Sequence, residues 1–202
     1  MQQLLKFSRL MDSLSSKLGS VIIWLILAST LISATNAVVR KTFDTSSNAF
    51  LEIQWYLFSA SFLLAAGYTL LNNEHVRIDV LSSRFSARVR AWLDVFGFTV
   101  FFTPVCLVVL YFSLPFFWQA FQSGEVSGNA GGLIRWPVYL MMPLGFTLLL
   151  LQGWSELIKR LAFLRGLIDD PMVKKGEKTA EEELADAIRQ RDARAAAAAA
   201  KN

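Results

Sequence analysis

The chain has 202 residues, of which 54% are hydrophobic and 18% charged, with a mean hydropathy of +0.42; a soluble chain carries about 25% charge. A single cysteine, Cys106, excludes an intrachain disulfide or a thiolate zinc cluster, and a single histidine, His75, excludes the paired axial histidines of a bis-His haem within one chain. The pI near 9.4 would suit nucleic acid, but the basic residues flank apolar segments, which points to a membrane surface and away from nucleic acid.

Residues 1–17 place Leu4, Phe7, Met11 and Leu14 at helical spacing on a stripe that continues to Leu18, with Lys6, Ser13 and Lys17 off it. This pattern predicts an amphipathic helix, lying either in the membrane interface or as a cytoplasmic extension of the first span. Four uncharged windows follow: Leu18–Val39, Ile53–Asn73, Val95–Gly124 and Trp136–Ser155. Each is long enough to cross a hydrocarbon core of about 30 Å. The first follows Lys6, Arg9 and Lys17 as a signal peptide would, but its apolar run is too long for one and no clean A-x-A site follows, so it reads as a retained span. We place the spans at about 18–39, 53–73, 95–118 and 136–157, within a four-helix domain covering 18–164.

The flanking cations set the expected orientation. Lys6, Arg9 and Lys17 precede span 1; Arg77, Arg84, Arg88 and Arg90 follow span 2; Lys159, Arg160 and Arg165 follow span 4. The alternate segments hold only Arg40, Lys41 and Arg135. Both termini and the middle connection are therefore expected in the cytoplasm, with loops 40–52 and 119–135 on the other side. Trp55, Tyr56, Trp118, Trp136 and Tyr139 fall at the outer ends, and Trp92 and Trp154 at the inner ends, as aromatic anchors do. Trp24 lies further inside span 1 and is expected against a neighbouring helix. Leu81, Phe85, Val89 and Trp92 form a stripe flanked by Arg84 and Arg88, which predicts a second interfacial helix between spans 2 and 3, the other reading being a solvated turn. Residues 165–202 are charged and Ala-rich and hold no core-forming pattern; a flexible cytoplasmic tail is expected. The fold class is thus all-α integral membrane, with four transmembrane helices, N-in/C-in, and two interfacial amphipathic helices.

Inside the windows the informative residues are small, polar or proline. Ser29, Ser33 and Ala37 recur at four-residue steps, as do Ser61 and Ala65, and such faces suit close helix packing, within this bundle or against a larger membrane partner. Pro104 lacks the amide that would bond Val100, so a kink is expected there. No window holds an ionisable residue, which argues against a self-contained proton-coupled four-helix exporter. A membrane anchor of a redox complex is a further alternative, disfavoured by the single histidine and cysteine. A tetraspan scaffold would need cysteines in its outer loop.

Three stretches carry a family resemblance. Span 2 opens with Leu51-Glu52-Ile53-Gln54-Trp55-Tyr56 and closes with Asn73-Glu74-His75-Val76-Arg77-Ile78-Asp79-Val80. The loop before span 4 reads Ser123-Gly124-Glu125-Val126-Ser127-Gly128-Asn129-Ala130-Gly131-Gly132-Leu133-Ile134-Arg135-Trp136-Pro137. Over residues 15–165 the chain resembles the small membrane subunit (DctQ type) of tripartite ATP-independent periplasmic (TRAP) transporters. The loop is similar to a subgroup associated with organic acids such as 2-oxo acids or lactate. The resemblance implies a non-enzymatic, multi-pass subunit of the bacterial inner membrane, without cofactor or metal. It implies two partners besides membrane lipid: a large elevator-type membrane subunit, which carries the ion sites of a usually sodium-driven symport, and a periplasmic substrate-binding protein. Glu52, His75, Arg77 and Asp79 are then family-motif residues. Glu52 is expected to meet free amides at the start of span 2 or to pair with Arg40 or a partner's cation. His75, Arg77 and Asp79 alternate, so an extended segment would put them on one face, as a turn lock or, through His75, a titrating site. Glu125, Ser127, Gly131, Gly132, Arg135 and Trp136 form the expected periplasmic docking loop, the plain alternative being a connecting hairpin.

Overall fold

A computed structural model describes residues 1–44, 47–73 and 85–171. Of these, Met1–Asp169 form one compact unit; a second, Asp170–Asn202, lies almost wholly outside the described residues, as do His75, Arg77, Asp79 and the expected flexible tail. Among the described residues the chain is all helical, apart from an isolated antiparallel bridge between Val126 and Ile134. Four helices are long and apolar enough to cross a membrane: α1, Gln2–Phe43; α2, Asn48–Leu71; α3, Ala87–Ser123; and α4, Trp136–Leu164.

The helices run well past the uncharged windows, because charge ends the lipid-compatible stretch without ending the helix. At 42 residues, α1 is about 63 Å long, roughly twice the hydrocarbon thickness. Residues 1–17 are thus the unbroken start of the first membrane-length helix, with no turn between an amphipathic helix and a span. Their packed face also differs from the apolar stripe: Ser8, Ser15, Gly19 and Ile22 are buried, whereas Leu4 and Leu14 are exposed. Similarly, the part of the second expected interfacial helix from Ala87 onward is the unbroken start of α3; residues 81–84 lie outside the described residues.

Where a kink was expected at Pro104, the helix carries a π-helical turn just before it, over Phe98–Phe102. The Thr103 amide donates to the Phe98 carbonyl five residues back, and the Thr103 hydroxyl donates to the same oxygen at 2.8 Å. Widening the turn immediately before the proline lets the ladder resume without its missing amide. The Trp154 indole N–H donates to the Thr103 hydroxyl at 3.3 Å and ties this turn to α4.

Helix ends follow local chemistry. α3 stops at Gly124, which takes the left-handed conformation at φ 61° that glycine adopts without a Cβ penalty. Pro137 stands in the first turn of α4, where a missing N–H costs nothing. α4 is the hub: it packs on α1, α2 and α3, while α2 also packs on α1. Close approach depends on glycine. A Cβ on Gly145 would lie 2.8 Å from Leu63 Cβ and 2.9 Å from the Leu63 carbonyl oxygen, and one on Gly153 would strike the Phe102 ring. Trp24 is 69% exposed and so is not buried against a neighbouring helix among the described residues, where it was expected, because α1 turns its Ser/Gly face inward.

Candidate functional site

Two polar clusters fasten opposite ends of the bundle. At the end where α3 and α4 are joined by loop 124–135, the centre is Glu52, 5% exposed. The helix begins at Asn48, so Glu52 stands a full turn inside it and does not cap its own amides. Its carboxylate instead gathers donors from the loop. Oε2 accepts the Leu133 amide at 2.7 Å; Oε1 accepts the Asn129 side-chain amide at 2.8 Å and the Ser127 hydroxyl. Arg40 is not among its partners. Asn48 donates to the Ala130 carbonyl at 3.0 Å and Tyr56 to that of Ile134 at 3.0 Å, so three residues on successive turns of α2 stitch the loop down.

The loop is shaped to deliver these donors. The Ser127 amide donates to Leu133 O and the Arg135 amide to Glu125 O, both at 2.9 Å, closing the Val126–Ile134 bridge. Gly131 has φ 70°, which strains any side chain there, and a Cβ on Gly132 would lie 2.5 Å from Ser127 Cβ, so a side chain at 132 would displace a Glu52 partner. Outside this cradle, Arg135 pairs with Glu125 at 3.4 Å and donates to the Tyr139 hydroxyl at 3.2 Å, with side chains of the ion pair 39% and 41% exposed. The Tyr139 contact, and then the Glu125 carboxylate, raise the Arg135 pKa further above its already high ordinary value, so it stays charged.

At the opposite end, five ionisable side chains from three helices converge. Asp12 of α1 accepts Lys159 of α4 at 3.0 Å, Gln152 Nε2 at 2.9 Å and the Ser155 hydroxyl at 3.0 Å. Ser15 donates to Gln152 Oε1 at 2.8 Å, and the Ser8 and Ser155 hydroxyls share a hydrogen bond of 2.7 Å. Glu156 lies between Lys159 and Arg160 and pairs with both. Arg160, wholly buried, also donates through Nε to Asp94 of α3 at 3.0 Å, and its guanidinium lies 5.5 Å from the centre of the Phe98 ring in the π turn. Buried charges persist only when paired and hydrogen-bonded; each charge of this cluster has an opposite partner across α1, α3 and α4, although Arg160 Nη2 is buried without a hydrogen bond among the described residues. Glu156 is 20 residues beyond Trp136, about 30 Å along α4, which puts the cluster one hydrocarbon thickness from the loop end.

A family model described as the DctQ component of tripartite ATP-independent periplasmic transporters matches residues 29–163. The chain belongs to this family. Comparisons with curated proteins and with solved structures return no match. As a DctQ component, the protein is the small membrane subunit of a tripartite transporter, alongside a large membrane component and a periplasmic binding component; the family is one of transporter parts and not of enzymes.

Within this DctQ component the sequence-singled residues separate into groups. Glu52 and Ser127 are brought into direct contact. Glu125 and Arg135 pair with each other; Trp136 opens α4 with its ring edge-on to Phe121 at 5.5 Å. Ser61 is buried and Ala65 half-buried, both on α2. Ser29 donates to the Gln54 carbonyl at 3.3 Å, but Ser33 and Ala37, on the same stripe of α1, are exposed. Glu52 takes the loop's donors where pairing with Arg40 had been an alternative, because the loop folds over α2.

Sequence reasoning missed the ionic cluster. Counting uncharged windows assigns Asp12, Asp94, Glu156, Lys159 and Arg160 to the flanks by construction. The overlooked signal is periodicity: Gln152, Ser155, Glu156, Lys159 and Arg160 continue one polar face of α4 at helical spacing, and Ser8, Asp12 and Ser15 do so on α1. These polar faces are interhelical surfaces, not solvated ones.

Proposed function

We propose that this subunit braces the large, elevator-type membrane subunit of a TRAP transporter during ion-driven, binding-protein-dependent uptake of small organic acids, such as dicarboxylates or 2-oxo acids. It does so in the bacterial inner membrane, with both termini in the cytoplasm and loop 124–135 toward the periplasmic binding protein. The observation that carries this reading is the saturation of the buried carboxylates. Glu52 is held by three donors from the loop before α4, and Glu156 by Lys159 and Arg160 of its own helix, which in turn bind Asp12 of α1 and Asp94 of α3; this suits a static frame and ill suits a group that must load and release a proton or ion. A self-contained exporter needs a carboxylate free to exchange. The uncovered apolar flanks of α1 and α3 leave extensive surface for a membrane partner.

The test is reconstitution. The large subunit with this chain, supplied with binding protein and an ion gradient, is expected to accumulate substrate in vesicles, and either subunit alone is not. Unaided uptake or extrusion by this chain would overturn the proposal. Accumulation by the large subunit alone at the full rate would remove the bracing role.

A further inference from the structure

A cleft of about 550 Å³ opens between the C-terminal turns of α1 and the start of α2. Its mouth holds Arg40, Lys41 and Asp44; its wall runs down α1 through Ala37 to Ser33, with Gln54 of α2 opposite. Val39 ends the uncharged window of α1, so the two cations stand at headgroup level, while Ser33 lies about 10 Å deeper. Among the described residues neither cation meets a carboxylate within ion-pair distance. The mouth therefore has an excess positive charge.

One turn below Arg40 stands Asn36. It is 9% exposed, yet its side-chain amide makes no hydrogen bond among the described residues. It lines this cleft and also a smaller, mainly apolar cavity of about 250 Å³ on its other side, formed with Ile32, Val39 and Phe50. Its amide is not one of the polar atoms sealed away from the surface, so it opens to the cleft it lines, where a polar group from outside the chain can reach it at membrane depth.

We propose that this cleft binds one phospholipid, its phosphate at Arg40 and Lys41 and a glycerol ester at Asn36. Gln54 is a second donor at that depth, and the small side chains of Ser33 and Ala37 leave room for the start of an acyl chain. The order of chemistry along the cleft, cationic then amide then apolar, is that of an amphiphile read from headgroup inward. A partner's apolar helix would satisfy the small-residue wall but not the excess charge at the mouth. The inference rests on the membrane-spanning helices alone and is independent of the bracing role.

The test uses the complex of this chain with its large subunit in vesicles of phosphatidylethanolamine and phosphatidylglycerol. A photo-crosslinking benzophenone side chain replaces Ala37 in one sample and Val108, exposed on α3, in a control. Illumination is expected to add the mass of one phospholipid at position 37. That adduct should survive progressive detergent exchange before illumination, while the one at 108 is lost. Adding Arg40→Gln and Lys41→Gln is expected to lower the retained adduct roughly tenfold or more, since two headgroup cations are removed. Excess glycerol phosphate is not expected to compete. A crosslink to the large subunit would make this face a protein interface and overturn the proposal. So would competition by glycerol phosphate, which marks a free-anion site, or equal loss at 37 and 108, which marks ordinary annular lipid. The crosslink with native Arg40 and Lys41 decides the matter even where the double variant fails to assemble.

Discussion

The backbone amide of Leu133 donates to the carboxylate of Glu52 at 2.7 Å, joining the loop before α4 to the first turns of α2 across 81 residues of sequence. With Ser127 and Asn129 on the other oxygen, a single charge organises the whole connection between α3 and α4. Glu52→Gln keeps the shape but offers only one accepting oxygen, so either the Leu133 side or the Ser127/Asn129 side loses its acceptor. A hydrogen bond to a charged group contributes about 1.5–3 kcal/mol. The expected result is a lower unfolding midpoint in detergent, with faster amide exchange confined to residues 125–134. Unchanged exchange at Leu133 would show that the carboxylate does not hold the loop.

The ionic cluster at the other end predicts strong non-additivity. Removing one member of a buried pair strands its partner and costs about 3–5 kcal/mol, whereas replacing both by apolar residues of similar volume is far milder. Arg160→Met removes a buried cation from both Glu156 and Asp94 and leaves Glu156 with Lys159 alone, and Glu156→Leu leaves Arg160 to Asp94 and Lys159 to Asp12 with no carboxylate between the two cations. Each single variant is expected to be poorly stable; the double variant Arg160→Met with Glu156→Leu should recover much of the loss. A double-mutant cycle by thermal unfolding in nanodiscs reads the coupling, and additive losses would contradict the geometry.

Glycine contacts give a graded prediction. Gly145→Ala drives a Cβ against the Leu63 backbone, so α2 and α4 must separate, and no side-chain change at position 63 relieves it. Gly153→Ala meets the Phe102 ring first, a side chain and not backbone, so Phe102→Leu is expected to rescue it in part. Both single variants should lose stability, within the 1–3 kcal/mol range of overpacked sites. Melting temperature of the purified chain distinguishes them: rescue at 153 by a partner substitution, none at 145.

Much of this architecture was legible in the residues. Uncharged windows located four membrane-length helices, because hydrocarbon excludes charge whatever the tertiary context; Pro104 signalled a local irregularity, expected as a kink, but not the π turn that precedes it. Glu52 stood out by its motif, but its partners could not be read, since Ser127, Asn129 and Leu133 are remote in sequence and nothing local specifies the fold of the loop onto α2. Asp12, Asp94, Glu156 and Arg160 were hidden for a different reason. Orientation reasoning treats every flanking charge as solvated, whereas here helices that continue beyond the bilayer bury them against one another. Ser33 and Ala37 show the converse: small residues signal close approach without saying whose.

The Glu125–Arg135 pair separates stability from docking. Its side chains are 39% and 41% exposed and 3.4 Å apart, and an ion pair in that setting contributes at most about 1 kcal/mol. Arg135→Glu is therefore expected to leave the melting temperature within a few degrees of the native value. Docking responds differently if this loop faces the binding protein, because rim charges govern association rate and its salt dependence. Glu125→Arg with Arg135→Glu restores the internal pair in reversed polarity, so any structural effect of the single variant should vanish. The field presented to a partner stays inverted. Surface plasmon resonance of the binding protein on the reconstituted complex is expected to show slowed association for both the single and the swapped variant, with the difference shrinking at high salt. Recovery of native association in the swapped variant would instead assign the pair a purely internal role and leave the loop a connector between α3 and α4.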